Sequence, residues 1–592
     1  MRKEKWLVAA KKADFNDWAN VFHISPVLAR IIRNRDVTDP AQVKMYLHGT
    51  MEDCHSPWLL QGMEQAVDVI CKQIAAGVKI RVIGDYDVDG ICSSYILTEG
   101  LRLAGADVDT AIPHRIKDGY GLNEHLIQEA YDAGVKCIIT CDNGIAAVEP
   151  IVLAKGLGMT VIVTDHHEVP FEESDAGRRE LLPSADVVID PKQEACRYPF
   201  KAICGAVVAY KVIQALQEKT AFINTSQLQA AFLPFAAMAT VCDVMELRGE
   251  NRIIVKEGLK LLGTTENLGL QALMEVNQLD TKGINAYHLG FVMGPCLNAT
   301  GRLDTAKRAL ELLQCKTRGE AVSAATELKQ LNDSRKNLTL QGVQDAEKKI
   351  TEEGLDQDKV MLVYLPEVHE SLAGIIAGRI REKYYHPVFV LTDSEEGIKG
   401  SGRSIDSYHM FEGLIEVKDY LTKFGGHKLA AGLSLKRENL EPLGRLLNEN
   451  AQLTEEDFIP VVHIDVPMPM GYATLEFAKQ LQLLEPFGVG NPKPLFAQKD
   501  VIFVGAKRIG ANGSFARFTV LVDRNGQYRR EDLMYFGDLE AFCGFLDERY
   551  GPGSAENLFA GRGEFAISIT YQVSVNCFRG KESLQYIMQN YS

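Results

Sequence analysis

Four short acidic and histidine motifs constrain this chain more than any other feature: GDYDVDG at 84–90, CDNG at 141–144, DHH at 165–167 and CDVMEL at 242–247. Each of the first three follows a run rich in β-branched residues. The pattern predicts strands over 79–83, 135–140, 159–164 and 186–189, with helices over 91–103, 123–133 and 145–156. Strands separated by helical patterns form a parallel sheet with right-handed crossovers. Residues just past the strand tips then meet in the crevice outside the carboxyl edge, where open α/β folds bind ligands. Asp85, Asp87 and Asp89 follow the first tip, Asp142 the second, and Asp165, His166 and His167 the third, while Asp243 joins from a helical segment.

Taken singly, each motif has an ordinary structural explanation. An Asp before a helix is a common N-cap, Asp142-Asn143-Gly144 suits a turn, and a His pair suits a surface loop. Together and in this order they point to metal, because carboxylates gathered so closely repel one another unless cations neutralise them. Mixed Asp and His donors favour Mn²⁺ or Mg²⁺ over a thiolate-held metal. The expected chemistry is that of a metal-dependent phosphoesterase.

Composition narrows the class. With 64 Lys+Arg against 79 Asp+Glu the net charge is −15. A non-specific nucleic-acid coater, which draws its affinity from phosphate neutralisation, is normally basic. An enzyme that keeps cations in an acidic cleft beside a local basic groove fits the balance. The 12 cysteines show no CxxC pair, which predicts reduced thiols and neither a zinc ribbon nor a disulfide framework. No apolar run reaches the roughly 18 residues of a membrane span, and lysines interrupt the apolar start MRKEKWLVAAKKADF. A cytoplasmic protein is expected.

A chain of 592 residues exceeds one core, and roughly three or four domains are expected. Residues 1–50 read as a helical segment, residues 51–317 as the parallel-sheet domain, and 318–352 as a long polar connecting helix. Residues 353–455 read as a second, smaller α/β domain, with strand 359–365, helix 371–384, strand 387–391 and the glycine-rich segments GIKGSGRS and KFGGHKLAAG. From 456 to 592, short β-rich runs such as VIFVGAKRIG and EFAISITYQVSV predict a small barrel or sandwich.

In these motifs the chain resembles the DHH phosphoesterase superfamily and, more narrowly, its RecJ branch of single-strand-specific exonucleases. The resemblance extends to LARIIRNRDVTDP, IPHRIKDGYG at 112–121, LNATGRLDTA at 297–306, GSGRS at 400–404, GGHKLAAG at 425–432 and LEPFGVGNPKPLF at 484–496. It implies a DHH domain, a DHHA1 domain and a C-terminal OB fold. Asp85, Asp87, Asp89, Asp142, His166 and Asp243 are then the implied ligands of two Mn²⁺ or Mg²⁺ ions, with the direct ligands among the first three left open. Asp165 would orient a histidine, and His167 would face the scissile phosphate. Arg115, Ser401 and Arg403 match positions that grip a terminal phosphate, to which arginine's planar donors are suited. Asn298 and Arg302 fit the LNATGRLD pattern, and Gly425, Gly426 and Gly432 with His427 and Lys428 would let backbone approach nucleic acid. At Cys296 many relatives carry arginine, a departure that bears on one strand contact and leaves the metal motifs intact. Arg508, Phe515 and Arg517 are candidates for a strand-binding face of the OB fold.

The implied activity is 5′-to-3′ digestion of single-stranded DNA in recombination and repair, with single-strand-binding protein and a RecQ-type helicase as implied partners. A phosphodiesterase acting on short RNA or dinucleotides is an alternative, weighed against by residues 456–592. So is a non-catalytic DNA-binding scaffold, weighed against by the intact acidic motifs.

Overall fold

A computed structural model of the chain describes residues 4–115, 121–174, 177–394 and 397–592. The chain forms two compact units. One comprises Met1–Cys54, Glu246–Lys256 and Val461–Ser592, and the other His55–Met245 and Glu257–Pro460.

The larger unit is built on a parallel sheet in the order Val108–Ala111, Ile80–Ile83, Cys137–Cys141, Thr160–Thr164, Val187–Ile189. Every residue of Ile80–Ile83 and Cys137–Cys141 is buried, as expected of strands covered on both faces. One face packs Ile83, Ile138, Val161 and Val163 against Leu126, Ile127 and Ile151 of the crossover helices. The helices Val88–Leu103 and Gly205–Thr220 pack on each other, and the latter also on the sheet. The edge strand Val108–Ala111 has no counterpart in the sequence reading. VDTA is short and carries an acid, and it is held as a strand by its pairing with Ile80–Ile83, where Arg81 lies opposite Asp109. A hairpin of Phe171–Ser174 and Gly177–Glu180 was likewise not predicted.

The helix Arg318–Glu353 runs from a Thr317 cap, whose side chain accepts from Glu320 N, to Gly354 at φ 69°. Its buried positions recur at helical spacing, from Ala321 and Ala325 through Thr339 and Gly342 to Ala346 and Ile350. That stripe packs on Leu268–Val276, Gly294–Leu303 and Glu370–Tyr384. At Gly342 a side chain would collide with Ile376. The second sheet has the order Lys423–Gly426, Ala430–Leu435, Gly397–Arg403, Val388–Ser394, Met361–Tyr364. The glycine-rich segments are therefore strands, which propensity alone does not suggest. Gly402 is required there because a Cβ would lie 2.5 Å from Met410 Sδ and 2.6 Å from the Phe389 ring.

In the smaller unit, strands Phe496–Ile509, Phe515–Arg524, Gln527–Tyr535, Lys581–Tyr591 and Phe565–Phe578 pair in that order, and the last pairs back to the first. Closure removes free sheet edges, as in an OB-type barrel. The expected architecture of a parallel-sheet domain, connecting helix, smaller α/β domain and terminal barrel is the one found. Helices Phe15–Phe22, Pro26–Asn34 and Pro40–His48 contribute to the barrel's apolar cluster. Ahead of them, Lys5–Val8 is a strand parallel to Val461–Ile464 where helix was expected. Buried Arg35 forks onto Asp465 at 2.6 and 2.9 Å. Buried Arg252 lies over the Tyr46 ring and donates to the carbonyls of Leu483, Leu484 and Glu485. The LEPFGVGNPKPLF motif is thus held by its backbone. Among the described residues no helix is long and apolar enough to cross a membrane.

Candidate active site

Each acidic motif reaches the crevice from its own strand tip. Asp85 follows Ile80–Ile83 and is buried, and its Oδ1 has no hydrogen-bond partner among the described residues. Asp87 is the N-cap of Val88–Leu103, accepting from the amides of Asp89 and Gly90 at 2.9 and 3.1 Å. Asp89, in the first turn, accepts from Gly205 N at 2.6 Å and Ala206 N at 2.7 Å, the first amides of the helix Gly205–Thr220. The positive end of one helix thus steadies a carboxylate carried by another.

Asp142 follows Cys137–Cys141 with φ 60°. The left-handed region costs a non-glycine residue strain, and such strain collects at functional sites. A Cβ on Gly205 would lie 2.7 Å from Asp142 Cβ, so the helix start must be glycine to pack there. His166 Nε2 lies 3.0 Å from Asp142 Oδ1, 3.5 Å from Asp89 Oδ2 and 3.8 Å from Asp243 Oδ2. Asp243 caps the C-terminal end of Thr225–Cys242.

Buried Asp165 takes no part in that convergence. Its Oδ2 accepts from Ile145 N at 2.9 Å, and its Oδ1 accepts from His166 N at 2.8 Å and pairs with His167 Nδ1 at 2.7 Å. Burial acts against protonation of His167, but the bond to Asp165 outweighs it and lifts the imidazole to about 9. Burial lowers His166.

Burial and mutual repulsion act together on the carboxyls. Burial, then the charge of Asp87, pushes Asp85 up to about 8, and burial with Asp89 and Asp87 pushes Asp243 up to about 8. Burial and the four neighbouring aspartates raise Asp142 well above the ordinary range. Buried carboxylates in mutual repulsion are stabilised by a cation. Three donor groups, each with its ligand atoms within 4.8 Å of one another, are Asp85–Asp87–Asp142, Asp89–His166–Asp243 and Asp142–His166–His167. Oxygen donors with one or two imidazoles fit Mn²⁺ or Mg²⁺. Asp85, whose Oδ1 has no hydrogen-bond partner among the described residues, belongs to one of these groups.

Beside the cluster lies a cavity of about 480 Å³ lined by Tyr86, Arg115, Arg302, Ser401, Arg403 and Gly425, among others. Arg115 sits 4.7 Å over the Tyr86 ring. Arg302 donates to Ser371 O at 2.7 Å, and Arg403 to Gly402 O at 2.7 Å and Ser401 Oγ at 3.3 Å. Burial and then the charges of Arg115, Arg335 and Arg403 lower Arg302 to about 10. Among the described residues the one carboxylate on the wall, Glu370, is paired with Lys399 at 3.0 Å. Arginines gathered in this way suit an anion with several oxygens.

The other sequence-predicted residues fall elsewhere. Asn298 accepts from Val88 N at 3.2 Å, holding the start of the acid-bearing helix. Gly426, with φ 148°, and exposed His427 lie outside the cavity lining, and His427 N donates to Ala430 O. Residues 116–120 of the IPHRIKDGYG motif lie outside the described residues. Cys296 is buried beside Asn277 and Asn332. In the barrel unit Arg517 and Phe515 are exposed, and Arg508 pairs with Glu540.

Sequence reasoning missed Tyr86, Lys399 and Lys423 on the cavity wall. It also missed Asp190, which follows Val187–Ile189 as the other acids follow their strands. Burial pushes Asp190 up to about 7, and its Oδ2 has no partner among the described residues. The signal was the same strand-then-Asp pattern, VVID, without a second motif residue.

Comparison with known proteins agrees with this architecture. The DHH family, N-terminal domain, matches residues 79–240, the DHHA1 domain residues 357–452, and the RecJ OB domain residues 464–590. A Bacillus subtilis protein, single-stranded-DNA-specific exonuclease RecJ, is 35% identical over 96% of this chain and 68% of its own length. The crystal structure of Thermus thermophilus RecJ in complex with Mn²⁺ is similar with a TM-score of 0.80 and 26% identity, covering 99% of this chain and 79% of that one. Its complex with Mg²⁺ is similar with a TM-score of 0.73 and 25% identity, covering 99% and 78%. On this similarity over nearly its full length, the chain belongs to the RecJ family of single-stranded-DNA-specific exonucleases.

Proposed function

We propose that this chain is a metal-dependent exonuclease that digests single-stranded DNA from its 5′ end, releasing 5′-mononucleotides in recombination and repair. One observation carries the reading. Asp85 and Asp87 belong to a metal-capable donor group while Tyr86 between them lines the arginine cavity, so a cation site and an anion site share one loop.

Asp85, Asp87, Asp89, Asp142, His166 and Asp243 would hold two divalent cations, Mn²⁺ or Mg²⁺. Cations held there would supply a more acidic bound water and charge stabilisation for the phosphate oxygens. Asp165 fixes the His167 ring through Nδ1, and His167 faces the scissile phosphate. Arg115, Arg302 and Arg403 with Ser401 grip the terminal 5′ phosphate. Asn298 secures the helix that carries Asp89, and Gly425, Gly426 and His427 shape the approach of the strand. Breaking the bond to the 3′ oxygen of the first nucleotide frees a 5′-mononucleotide and leaves a new 5′ phosphate for the same grip.

In this reading the helical segment 1–50, DHH domain 51–317, connecting helix 318–352, DHHA1 domain 353–455 and OB domain 456–592 are the working parts. The protein acts in the cytoplasm, beside single-strand-binding protein and a RecQ-type helicase that supplies single strands. The test is incubation of purified protein and Mn²⁺ with 5′-labelled single-stranded DNA, duplex DNA, RNA and dinucleotides. Single-stranded DNA should be consumed first; preference for dinucleotides would replace this reading with that of a small-substrate phosphodiesterase.

A further inference from the structure

Two aromatic rings have no role in the site described so far. Tyr287 and Phe291 stack with centroids 5.1 Å apart and an interplanar angle of 21°, and they are 62% and 67% exposed. Each leaves more than half its surface in water, although both rings bury readily in cores. They stand on one continuous helical run, made of Ala286–His288, a π-helical turn Leu289–Met293, and Gly294–Leu303. Single π turns occur often at functional sites.

That run borders the candidate active site along its length. Leu289 O accepts from Cys242 Sγ at 3.6 Å, next to Asp243. A Cβ on Gly290 would lie 3.3 Å from Val241, and one on Gly294 would collide with Cys242. The packed stripe of Gly290 and Gly294 therefore faces the helix that ends at Asp243, while Tyr287 and Phe291, four apart on the adjoining face, stand at its rim. Farther along, Asn298 holds the start of the helix bearing Asp89, and Arg302 enters the anion cavity. From Arg302 to Phe291 the run covers 11 residues, about 16 Å at the α-helical rise, a span longer than one nucleotide.

We propose that the Tyr287–Phe291 pair is a base-stacking platform for the nucleotides 3′ to the scissile bond. The inference rests on the exonuclease reading. With the terminal phosphate on Arg302 and Arg403 and the next phosphate at the acidic cluster, a strand continuing past Asp243 meets these rings. Aromatic faces accept every base, which suits an enzyme that advances through any sequence. His288 packs edgewise against Tyr287 at 5.9 Å, and both rings of the stack still keep most of their surface in water for a base to cover.

The test uses Asp142→Asn protein, which should hold a strand without cutting it, with 2-aminopurine placed at successive positions from a phosphorylated 5′ end. Stacking should quench fluorescence at one or two positions past the terminal nucleotide. Phe291→Ala and Tyr287→Ala should each abolish the quench, and Phe291→Trp should keep it. In otherwise unmodified protein, each Ala variant should raise KM for a long strand about tenfold, the loss of roughly one stacked base. kcat at saturation should be retained, and the advantage of a long strand over a dinucleotide should shrink by the same factor. An unchanged KM with intact strand digestion overturns the platform alone. An equal fall in kcat on long and short substrates assigns the rings a structural role and also overturns it. Failure of the unmodified protein to digest single strands at all removes the exonuclease reading itself.

Discussion

Asp165 Oδ1 lies 2.7 Å from His167 Nδ1, and the same oxygen accepts the backbone amide of His166 at 2.8 Å. One buried carboxylate thereby fixes both histidines of the DHH motif, one through its ring and one through its backbone. Asp165→Asn should leave the fold intact and cut the rate about 10- to 100-fold, as loss of an orienting partner does at metal sites. Steady-state rates with far-ultraviolet circular dichroism check this; an unchanged rate would separate Asp165 from His167's role.

Gly205 supplies a prediction that rests on space alone. A methyl at this position would stand 2.7 Å from Asp142 Cβ and 3.0 Å from its Oδ1. Gly205→Ala should displace Asp142 and weaken Mn²⁺ affinity at least about tenfold, measured by calorimetric titration. A matching variant at Gly378, where a Cβ meets nothing within 4 Å, should leave affinity unchanged.

Metal removal should be visible in stability. A ligand that binds only the folded chain stabilises by mass action, about 2.7 kcal/mol at a hundredfold excess over Kd. Mn²⁺ should raise the Tm of chelator-treated protein, and Asp142→Asn should lose most of the rise. Equal shifts in both proteins would place the cation elsewhere.

The Arg81–Asp109 pair carries a pH dependence. Burial works against ionisation of Asp109, but its hydrogen bonds from Arg81 and Lys79 prevail and hold the carboxyl below its ordinary 3.8. A depressed folded pKa gives stability that is present above the unfolded value and lost as pH falls through the folded one. Asp109→Asn should therefore lower stability by about 1 kcal/mol or less near neutrality, since about a third of Asp109 stays in water. The gap should close below pH 3.8. A gap that persists in acid would mean that packing, not charge, explains the loss.

The same pair shows where the sequence was legible. Ile80–Ile83, Cys137–Cys141 and Thr160–Thr164 are runs rich in β-branched residues, so they and the acids at their tips could be read directly. Val108–Ala111 could not, because its short polar sequence is strand-like only when paired with Arg81 and its neighbours. Gly397–Arg403 and Lys423–Gly426 gave no strand signal for a related reason: glycine has poor strand propensity, and only Leu391 pressing on Gly400, and Phe389 and Met410 on Gly402, make it necessary in the first of them. In the site, the acids came with motifs, whereas Tyr86 and Lys399 depend on which sheets face one cavity. No local pattern encodes that.

The grip on a terminal phosphate is the central claim, and comparison of 5′-phosphorylated with 5′-hydroxyl single strands tests it most directly. Unmodified protein should favour the phosphorylated strand, and Arg403→Ala should raise KM for that strand about 10- to 100-fold, the loss of one or two charge-assisted hydrogen bonds. KM for the hydroxyl strand should barely move, so the preference should disappear. Equal weakening on both strands, or no preference in the unmodified protein, would contradict a cavity built for the 5′ phosphate.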